Sequence, residues 1–369
     1  MNIIQSFLKK FFSYLNYYSF KIGKFKKLNL LRNELSLELL LNKHLANYRN
    51  IISPFKETLP LIKYKKNPIL TAGNPGDWDE AGIYEPYILY NGKNYLLYYE
   101  SRTYFKKMDW QIGVAIAEKI IGPWEKHPDN PILRYTLNEG DYDKQYVADP
   151  CVIYHNGKYH MWFDMHDSKT SRIGKAYSSD GIIWEKYKKD GKTAAVLDLG
   201  KKNQWDGDYV HCPEIYLWND KFHILYGAKG VGHLDYDTGL AIQKDDKGEL
   251  FYKWGQVTTD EMLGKKKIIS RLQPGVILNG VIIAGLRVKL SKKIERIFIV
   301  FSDDGGKSWN KLTDPILKPG SLHDWDSMVF YGPNCWIISE NKLWSAYLGG
   351  SKHDFRSLGL AYMKIPKIK

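Results

Sequence analysis

One strand-and-turn pattern recurs five times between about residue 67 and the C-terminus. In four of the five units an aromatic residue precedes an Asp, a proline follows that Asp seven positions later, and two aromatic-rich strands come next around a tight turn. The prolines, which step by 64, 63, 61 and 59 residues, are Pro86, Pro150, Pro213, Pro274 and Pro333. Repeats of this length, with several short strands in each, are typical of propeller blades. The sequence therefore predicts an all-β fold, a five-bladed β-propeller.

The turns within the units support this prediction. Asn91-Gly92, Asn156-Gly157 and Asn279-Gly280 lie between alternating strands and predict type I′ hairpins, which need positive φ at both turn residues. The Asp of the aromatic-Asp pair recurs in four blades, so we interpret it as a residue that caps a turn. The fifth unit ends at its third strand near Met363. We expect the stretch around residues 60–70 to supply its fourth strand and close the ring.

The charge distribution separates an N-terminal extension from the propeller. The net charge is +13, but residues 1–66 hold 13 Lys and Arg against three Glu, so the rest of the chain carries only +3. A nearly neutral propeller does not offer the clustered base that phosphate contacts need, so we expect no nucleic-acid partner. We predict a basic, aromatic and mostly helical extension over residues 1–59 and a catalytic propeller over 60–369.

The extension also bears on location. Lysines and aromatic residues interleave in residues 1–27 without the pattern of a secretory signal or a spanning helix, which suits the surface of an anionic membrane. A helix that packs on the domain or on a partner is the alternative. The three cysteines are an odd number without metal-ligand spacing, which favours a reducing compartment. We therefore expect a cytoplasmic protein, peripheral on the inner face of the membrane if residues 1–27 bind it.

The residues next to the repeat prolines should converge on one central funnel, because they begin the innermost strand of each blade. The side chains singled out on this basis are Glu85, Asp149, His211 and Glu214 as catalytic candidates, and Trp78, Tyr84, Gln273, Arg271, Arg287 and Tyr331 as substrate-binding candidates. An unpaired carboxylate is costly to bury, which favours a functional role for the acids. For Trp78 the alternative is packing, for the two arginines it is a surface position, and Cys212 is interpreted as a core residue.

This arrangement resembles the five-bladed glycoside hydrolases of families 43, 32 and 68, and more loosely the family 130 phosphorylases. The resemblance covers about residues 60–369 and rests on the repeat and on the segments Glu85-Pro86, Ala148-Asp149-Pro150 and His211-Cys212-Pro213-Glu214. It implies that Glu85 is the base or nucleophile and that Asp149 tunes the site. The family's general acid is a third-blade Glu, and the matching position here is His211. Either His211 or Glu214 is then the proton donor.

Three functions follow from these residues. The first is a carbohydrate-active enzyme, similar to glycoside hydrolases, that cleaves or transfers a furanosyl or pyranosyl unit of an oligosaccharide, a polysaccharide or a glycosyl donor. The second is a membrane-associated cytoplasmic glycosyltransferase that builds a surface polysaccharide. The third is a glycan-binding propeller without catalysis. We expect no cofactor, since the sequence contains no metal-ligand cluster; the resemblance adds that some members of the clan hold a calcium ion in the central channel.

Overall fold

The computed structural model describes residues 61–106, 108–232, 236–258, 269–278, 280–289, 295–311, 317, 320–321, 323–350 and 357–364. The regular elements of this part of the chain are 22 strands, as predicted for an all-β fold. No helix in the described ranges is long and apolar enough to cross a membrane. The predicted extension over residues 1–59, its helix and its membrane-binding stretch 1–27 lie outside the described residues and stay predictions.

The strands form five four-stranded antiparallel sheets and one short hairpin. In chain order they are β1 (Ile62–Lys63), β2 (Tyr84–Tyr90), β3 (Tyr95–Ser101), β4 (Gln111–Ala117), β5 (Glu125–Lys126), β6 (Tyr146–His155), β7 (Lys158–His166), β8 (Ser171–Ser178), β9 (Glu185–Lys186), β10 (Lys188–Lys189), β11 (Lys192–Thr193), β12 (Tyr209–Trp218), β13 (Lys221–Lys229), β14 (Asp237–Gln243), β15 (Phe251–Gln256), β16 (Ile269–Leu278), β17 (Val281–Lys289), β18 (Glu295–Ser302), β19 (Asn310–Lys311), β20 (Met328–Ser339), β21 (Lys342–Gly350) and β22 (Ser357–Lys364). The hairpin is β10–β11. Each sheet is one of the predicted blades.

The blades close into a ring. The first strands of successive blades, β2, β6, β12, β16 and β20, each contact the first strand of the next blade, and β20 contacts β2. Apolar side chains fill the spaces between blades; Leu97 of the first blade and Leu348 of the fifth, for example, belong to one buried cluster. The five-bladed β-propeller is thus confirmed, with the first strands around a central channel.

The fifth blade is completed from the N-terminal side of the domain, as predicted. Strand β1 pairs with β22 through Ile62 opposite Tyr362 and Lys63 opposite Ala361. The outer strand of this blade therefore comes from the opposite end of the sequence from its three inner strands. This pairing joins the two ends of the domain and covers the edge of β22, so that the fifth blade has four strands like the others.

The aspartates of the aromatic-Asp pairs hold the blades together internally. Each is at most 3% exposed and forms an ion pair with a lysine of the outermost strand in its own blade. The pairs are Asp79 with Lys126, Asp143 with Lys186, Asp206 with Lys253 and Asp326 with Lys63. A buried carboxylate without such a partner would be costly, so the repeat preserves both members. These aspartates are structural, and the closing strand β1 supplies a lysine just as the outer strands of the first three blades do.

The predicted hairpin turns are only partly right. Asn156 and Gly157 both have positive φ, at 50° and 78°, which confirms the type I′ turn of the second blade. The prediction for Asn91-Gly92 is wrong, because the connection there is four residues long and only Gly92 has positive φ. The Asn91 side chain instead accepts hydrogen bonds from the backbone N–H groups of residues 93 and 94. Asn279 lies outside the described residues.

Candidate active site

All five first strands have a register irregularity near the repeat proline, and three of them share a further backbone feature there. Strands β2, β6 and β12 each carry a β-bulge there, and the residue before the proline has positive φ: 40° at Glu85, 49° at Asp149 and 50° at Cys212. This conformation is uncommon for residues other than Gly and is further disfavoured before proline. Strained backbone of this kind clusters at functional sites. Here it breaks the alternation of the strand and redirects one side chain in each of three blades.

Two of the redirected residues, both acids, and a third acid next to the bulge of β12 meet one arginine from the fourth blade. Arg271 Nη1 lies 2.8 Å from Glu85 Oε2, and Arg271 Nη2 lies 3.0 Å from Glu214 Oε1. The same Nη2 is 3.3 Å from Asp149 Oδ1. Gln273 donates a hydrogen bond of 3.4 Å to Glu214. Side chains predicted from four separate blades are therefore brought together around a buried guanidinium, which is 8% exposed.

Two further buried acids belong to this site and were missed by the sequence analysis. Glu100 in β3 accepts the backbone N–H of Asp149 at 2.6 Å. Asp164 in β7 accepts the hydroxyl of Tyr146 at 3.3 Å. Both lie opposite the residue that precedes the bulge of the first strand. The signal in the sequence was an acid near the end of a strand that is otherwise apolar and aromatic, a poor place for an unpartnered charge.

Burial and mutual repulsion set the protonation of these acids. Burial raises the pKa of Glu100 and of Asp164 well above the usual range, and the nearby Asp149 raises both further. Burial also raises the pKa of Asp149, although Arg271 opposes the shift. For Glu214, burial outweighs the effect of Arg271 and brings the pKa to about 7. Glu214 is thus a carboxyl group that can hold or release a proton near neutral pH.

His211 occupies space that a glycine provides. Its partner across the strand pair is Gly227, at the position where the first two blades have Glu100 and Asp164. A Cβ atom on Gly227 would lie 2.9 Å from His211 Nε2, so any larger residue would displace the ring. His211 Nδ1 is 3.0 Å from the Cys212 thiol. Burial lowers the pKa of His211 to about 4, so the imidazole is neutral at neutral pH.

The other substrate-binding candidates differ in placement. Tyr84 packs edge-on against Trp110, with ring centroids 4.9 Å apart, and its hydroxyl donates to the carbonyl of residue 81. Arg287 lies directly opposite Arg271 in the strand pair β16–β17, so the two side chains extend from the same face of the sheet. Tyr331 is part of β20, but its side chain lies outside the described part of the structure.

Trp78 has the environment of a packing residue. Its indole stacks on Tyr99, with centroids 5.6 Å apart, and fills the space beside Gly113. Trp205 has the same relation to Tyr226 and Gly239 in the third blade. The small residues of the third strands therefore make room for a tryptophan of their own blade. A sugar-stacking role of Trp78 stays a prediction.

The described residues near the site do not suit a calcium ion. The group with metal-ligand spacing there consists of Asp149, His211 and Cys212. Calcium prefers six to eight oxygen ligands, and a thiol and an imidazole are poor substitutes. The calcium ion that the family resemblance allowed is therefore not supported by this donor set.

Sequence comparison gives distant relatives. No protein-family model matches the chain. The chain is similar to two uncharacterized proteins of Mycobacterium tuberculosis, with 33% identity in strain ATCC 25618 / H37Rv and 26% in strain CDC 1551 / Oshkosh, each over 172 residues. Each match covers 44% of this chain and 52% of the relative. The chain thus spans about half the length of the curated relatives it matches.

Structural comparison gives glycoside hydrolases. The chain is similar to a family 117 enzyme of the marine bacterium Zobellia galactanivorans, with a TM-score of 0.57, 16% identity, and coverage of 84% of this chain and 92% of that one. It is similar to a thermostable family 43 glycoside hydrolase, with a TM-score of 0.56, 16% identity, and coverage of 76% of this chain and 88% of that one. It is also similar to a member of the family 130 mannoside phosphorylases, a family containing hydrolases that target β-1,2-mannosidic linkages in Candida mannan. Here the TM-score is 0.58 and the identity 13%, with coverage of 83% of this chain and 94% of that one. The predicted structural resemblance is confirmed, and at this identity it is a likeness of fold.

Proposed function

We propose that the protein is a carbohydrate-active enzyme that cleaves or transfers a glycosyl unit, with Glu85 and Glu214 as its two working carboxyl groups. The observation that carries the proposal is that one guanidinium, that of Arg271, holds both carboxyl groups, at 2.8 and 3.0 Å, at the channel-facing bulges. Their separation is then limited to the span of one guanidinium and two hydrogen bonds. Paired carboxyl groups about 5 to 9.5 Å apart are the machinery of glycosidic bond cleavage.

The protonation of the site supports Glu214 as the proton donor. A general acid works best with a pKa near the operating pH, and the pKa of Glu214 is about 7. His211 was the alternative, but with a pKa of about 4 it is neutral at neutral pH, and a neutral imidazole is a much weaker acid than an imidazolium. Glu85 would then act as nucleophile or base, and Asp149 would stabilise positive charge at the anomeric carbon.

Activity assays distinguish cleavage from transfer. Nitrophenyl glycosides in furanose and pyranose forms test hydrolysis, and a panel of nucleotide sugars with oligosaccharide acceptors tests transfer, with products identified by mass spectrometry. We expect turnover in the first panel, lost in Glu85→Gln and kept in the control Glu118→Gln, which changes an exposed glutamate. Turnover in the second panel alone would replace hydrolysis by transfer. A folded protein that binds glycans but turns over neither panel would contradict the enzyme proposal.

The location is a separate proposal. We infer from the lysines and aromatic residues of residues 1–27 that this stretch places the protein on an anionic membrane in the cytoplasm. Co-sedimentation with phosphatidylserine vesicles, with and without residues 1–27, tests this directly. Binding that is lost on truncation and at high salt supports the proposal. Equal sedimentation of both proteins would contradict it.

A further inference from the structure

Three different metal-binding side chains meet beside the proposed carboxyl pair. Asp149 of the second blade and His211 and Cys212 of the third each offer one ligand atom, and these atoms all lie within 4.8 Å of one another. The Cys212 thiol and His211 Nδ1 are 3.0 Å apart. The sequence does not predict this cluster. Asp149 lies 62 positions before His211, and His211 and Cys212 are adjacent, so a regular strand would point their two side chains to opposite faces.

The unusual backbone explains how neighbours in sequence can share one site. Successive side chains of a regular strand point to opposite faces of the sheet. The positive φ of 50° at Cys212 interrupts this alternation, so that its thiol turns back toward the ring of His211. Asp149 has the same conformation, with φ of 49°. The strained backbone at both positions therefore brings the three donors together.

The chemistry of the donors selects a class of metal. A thiolate, a neutral imidazole and a carboxylate are the ligands that zinc and similar divalent transition metals prefer, and three protein ligands with one open position are typical of catalytic zinc sites. We propose that Asp149, His211 and Cys212 bind one divalent transition metal, with zinc as the reference ion. Binding transfers the Cys212 thiol proton, and any proton on Asp149, to solvent, and the sulfur and oxygen lone pairs form bonds to the metal.

Acidic side chains lie close to the three donors. Five buried or half-buried carboxyl groups share this region with the guanidinium groups of Arg271 and Arg287. The five are Glu85, Glu100, Asp149, Asp164 and Glu214. The acidic side chains outnumber the two guanidinium groups, and a bound dication would offset the repulsion between those acids that are ionised. Asp149 can serve both Arg271 and a metal, because a carboxylate has two oxygens.

The metal site would give the proposed glycosyl chemistry a Lewis acid. A water or a sugar hydroxyl in the open position would lose its proton more readily than in bulk solvent. This role rests on the proposed function, whereas the binding of the metal itself does not. The two can therefore fail separately: binding is measured on the full chain without any sugar, and turnover is measured on the panels described above.

Metal titration of the chelator-stripped, reduced protein tests the site. With Co²⁺ as the probe we expect one equivalent to bind and a thiolate-to-cobalt charge-transfer absorption to appear. Cys212→Ser should abolish that absorption and weaken cobalt binding by at least about 10- to 100-fold. Losses of that size already follow from removing a side chain that only hydrogen-bonds to a metal ligand. Cys151→Ala and Cys335→Ala are matched controls, since both remove a buried free thiol elsewhere and should keep the signal.

A second measurement does not depend on the variants. X-ray absorption of the zinc-loaded wild-type protein should give one sulfur at about 2.3 Å and two or three nitrogen or oxygen ligands at about 2.0–2.2 Å. Absence of a sulfur ligand would overturn the proposal. So would cobalt binding that is unchanged in Cys212→Ser, or the absence of any stoichiometric binding by the wild type.

Discussion

Replacing Glu214 with Gln removes a carboxyl group whose ionisation the fold opposes. Burial raises its pKa from 4.5 to about 7. Below pH 4.5 the group is neutral in both the folded and the unfolded chain, and it has no effect on the pH dependence. Between pH 4.5 and 7 the unfolded chain loses the proton while the folded chain keeps it, so the free energy of unfolding of the wild type falls as pH rises. At 1.36 kcal/mol per pKa unit, the loss amounts to about 3 kcal/mol.

The glutamine side chain of the variant cannot ionise, so the variant should not show this fall in the free energy of unfolding. We expect its free energy of unfolding, relative to the wild type, to rise by about 3 kcal/mol between pH 4.5 and 7 and to stay constant above pH 7. Urea denaturation at half-unit steps from pH 4 to 8 measures the difference. Glu118→Gln, at an exposed position, is the control and should give a flat difference. A flat difference for Glu214→Gln as well would refute the raised pKa and with it the assignment of the proton donor.

Three further perturbations test other parts of the account. Asp206→Asn should lower the free energy of unfolding by about 1–3 kcal/mol in urea titrations, because Lys253 at 2.7 Å loses a buried charged partner. The control is Asp208→Asn, whose pair with Lys229 is longer and more exposed and whose loss should cost less than about 1 kcal/mol. Equal losses in the two variants would contradict the structural role of the repeated aspartate. Gly227→Ala should displace the His211 ring and lower kcat/KM about 100-fold, while an unchanged kcat/KM would show that the ring position is irrelevant. His211→Gln should leave the change of kcat/KM with pH near pH 7 where it is, since the pKa of His211 is about 4. A shift of that change along the pH axis would assign it to His211.

The blades were predictable because each repeats the same local physics. The aromatic-Asp pair, the proline and the two aromatic strands each satisfy a need that every blade has, and these needs can be read within about sixty residues of sequence. The closing strand β1 followed from the same count. The Asn91-Gly92 turn failed because the local signal competes with a longer connection in which the Asn91 side chain holds the loop.

The site was predictable only where it follows the repeat. Glu85 and Asp149 precede a proline in equivalent positions, so aligning the blades was enough to find them. The central place of Arg271 was not, because its partners Glu85 and Glu214 are 186 and 57 positions away along the chain. Cys212 was interpreted as a small core residue, and it is indeed buried. The positive φ that turns its thiol toward His211 has no signal in the sequence.

The dependence of rate on the leaving group tests the central claim most directly. For the sugar found in the panel, kcat/KM of the wild type and of Glu214→Gln is compared on a nitrophenyl glycoside, whose leaving group departs without a proton, and on the matching alkyl glycoside, whose leaving group needs one. If Glu214 is the proton donor of a glycosyl-cleaving pair, the variant keeps most of its activity on the first substrate and loses about 100-fold or more on the second. An equal loss on both substrates, or no loss on either, would contradict the account.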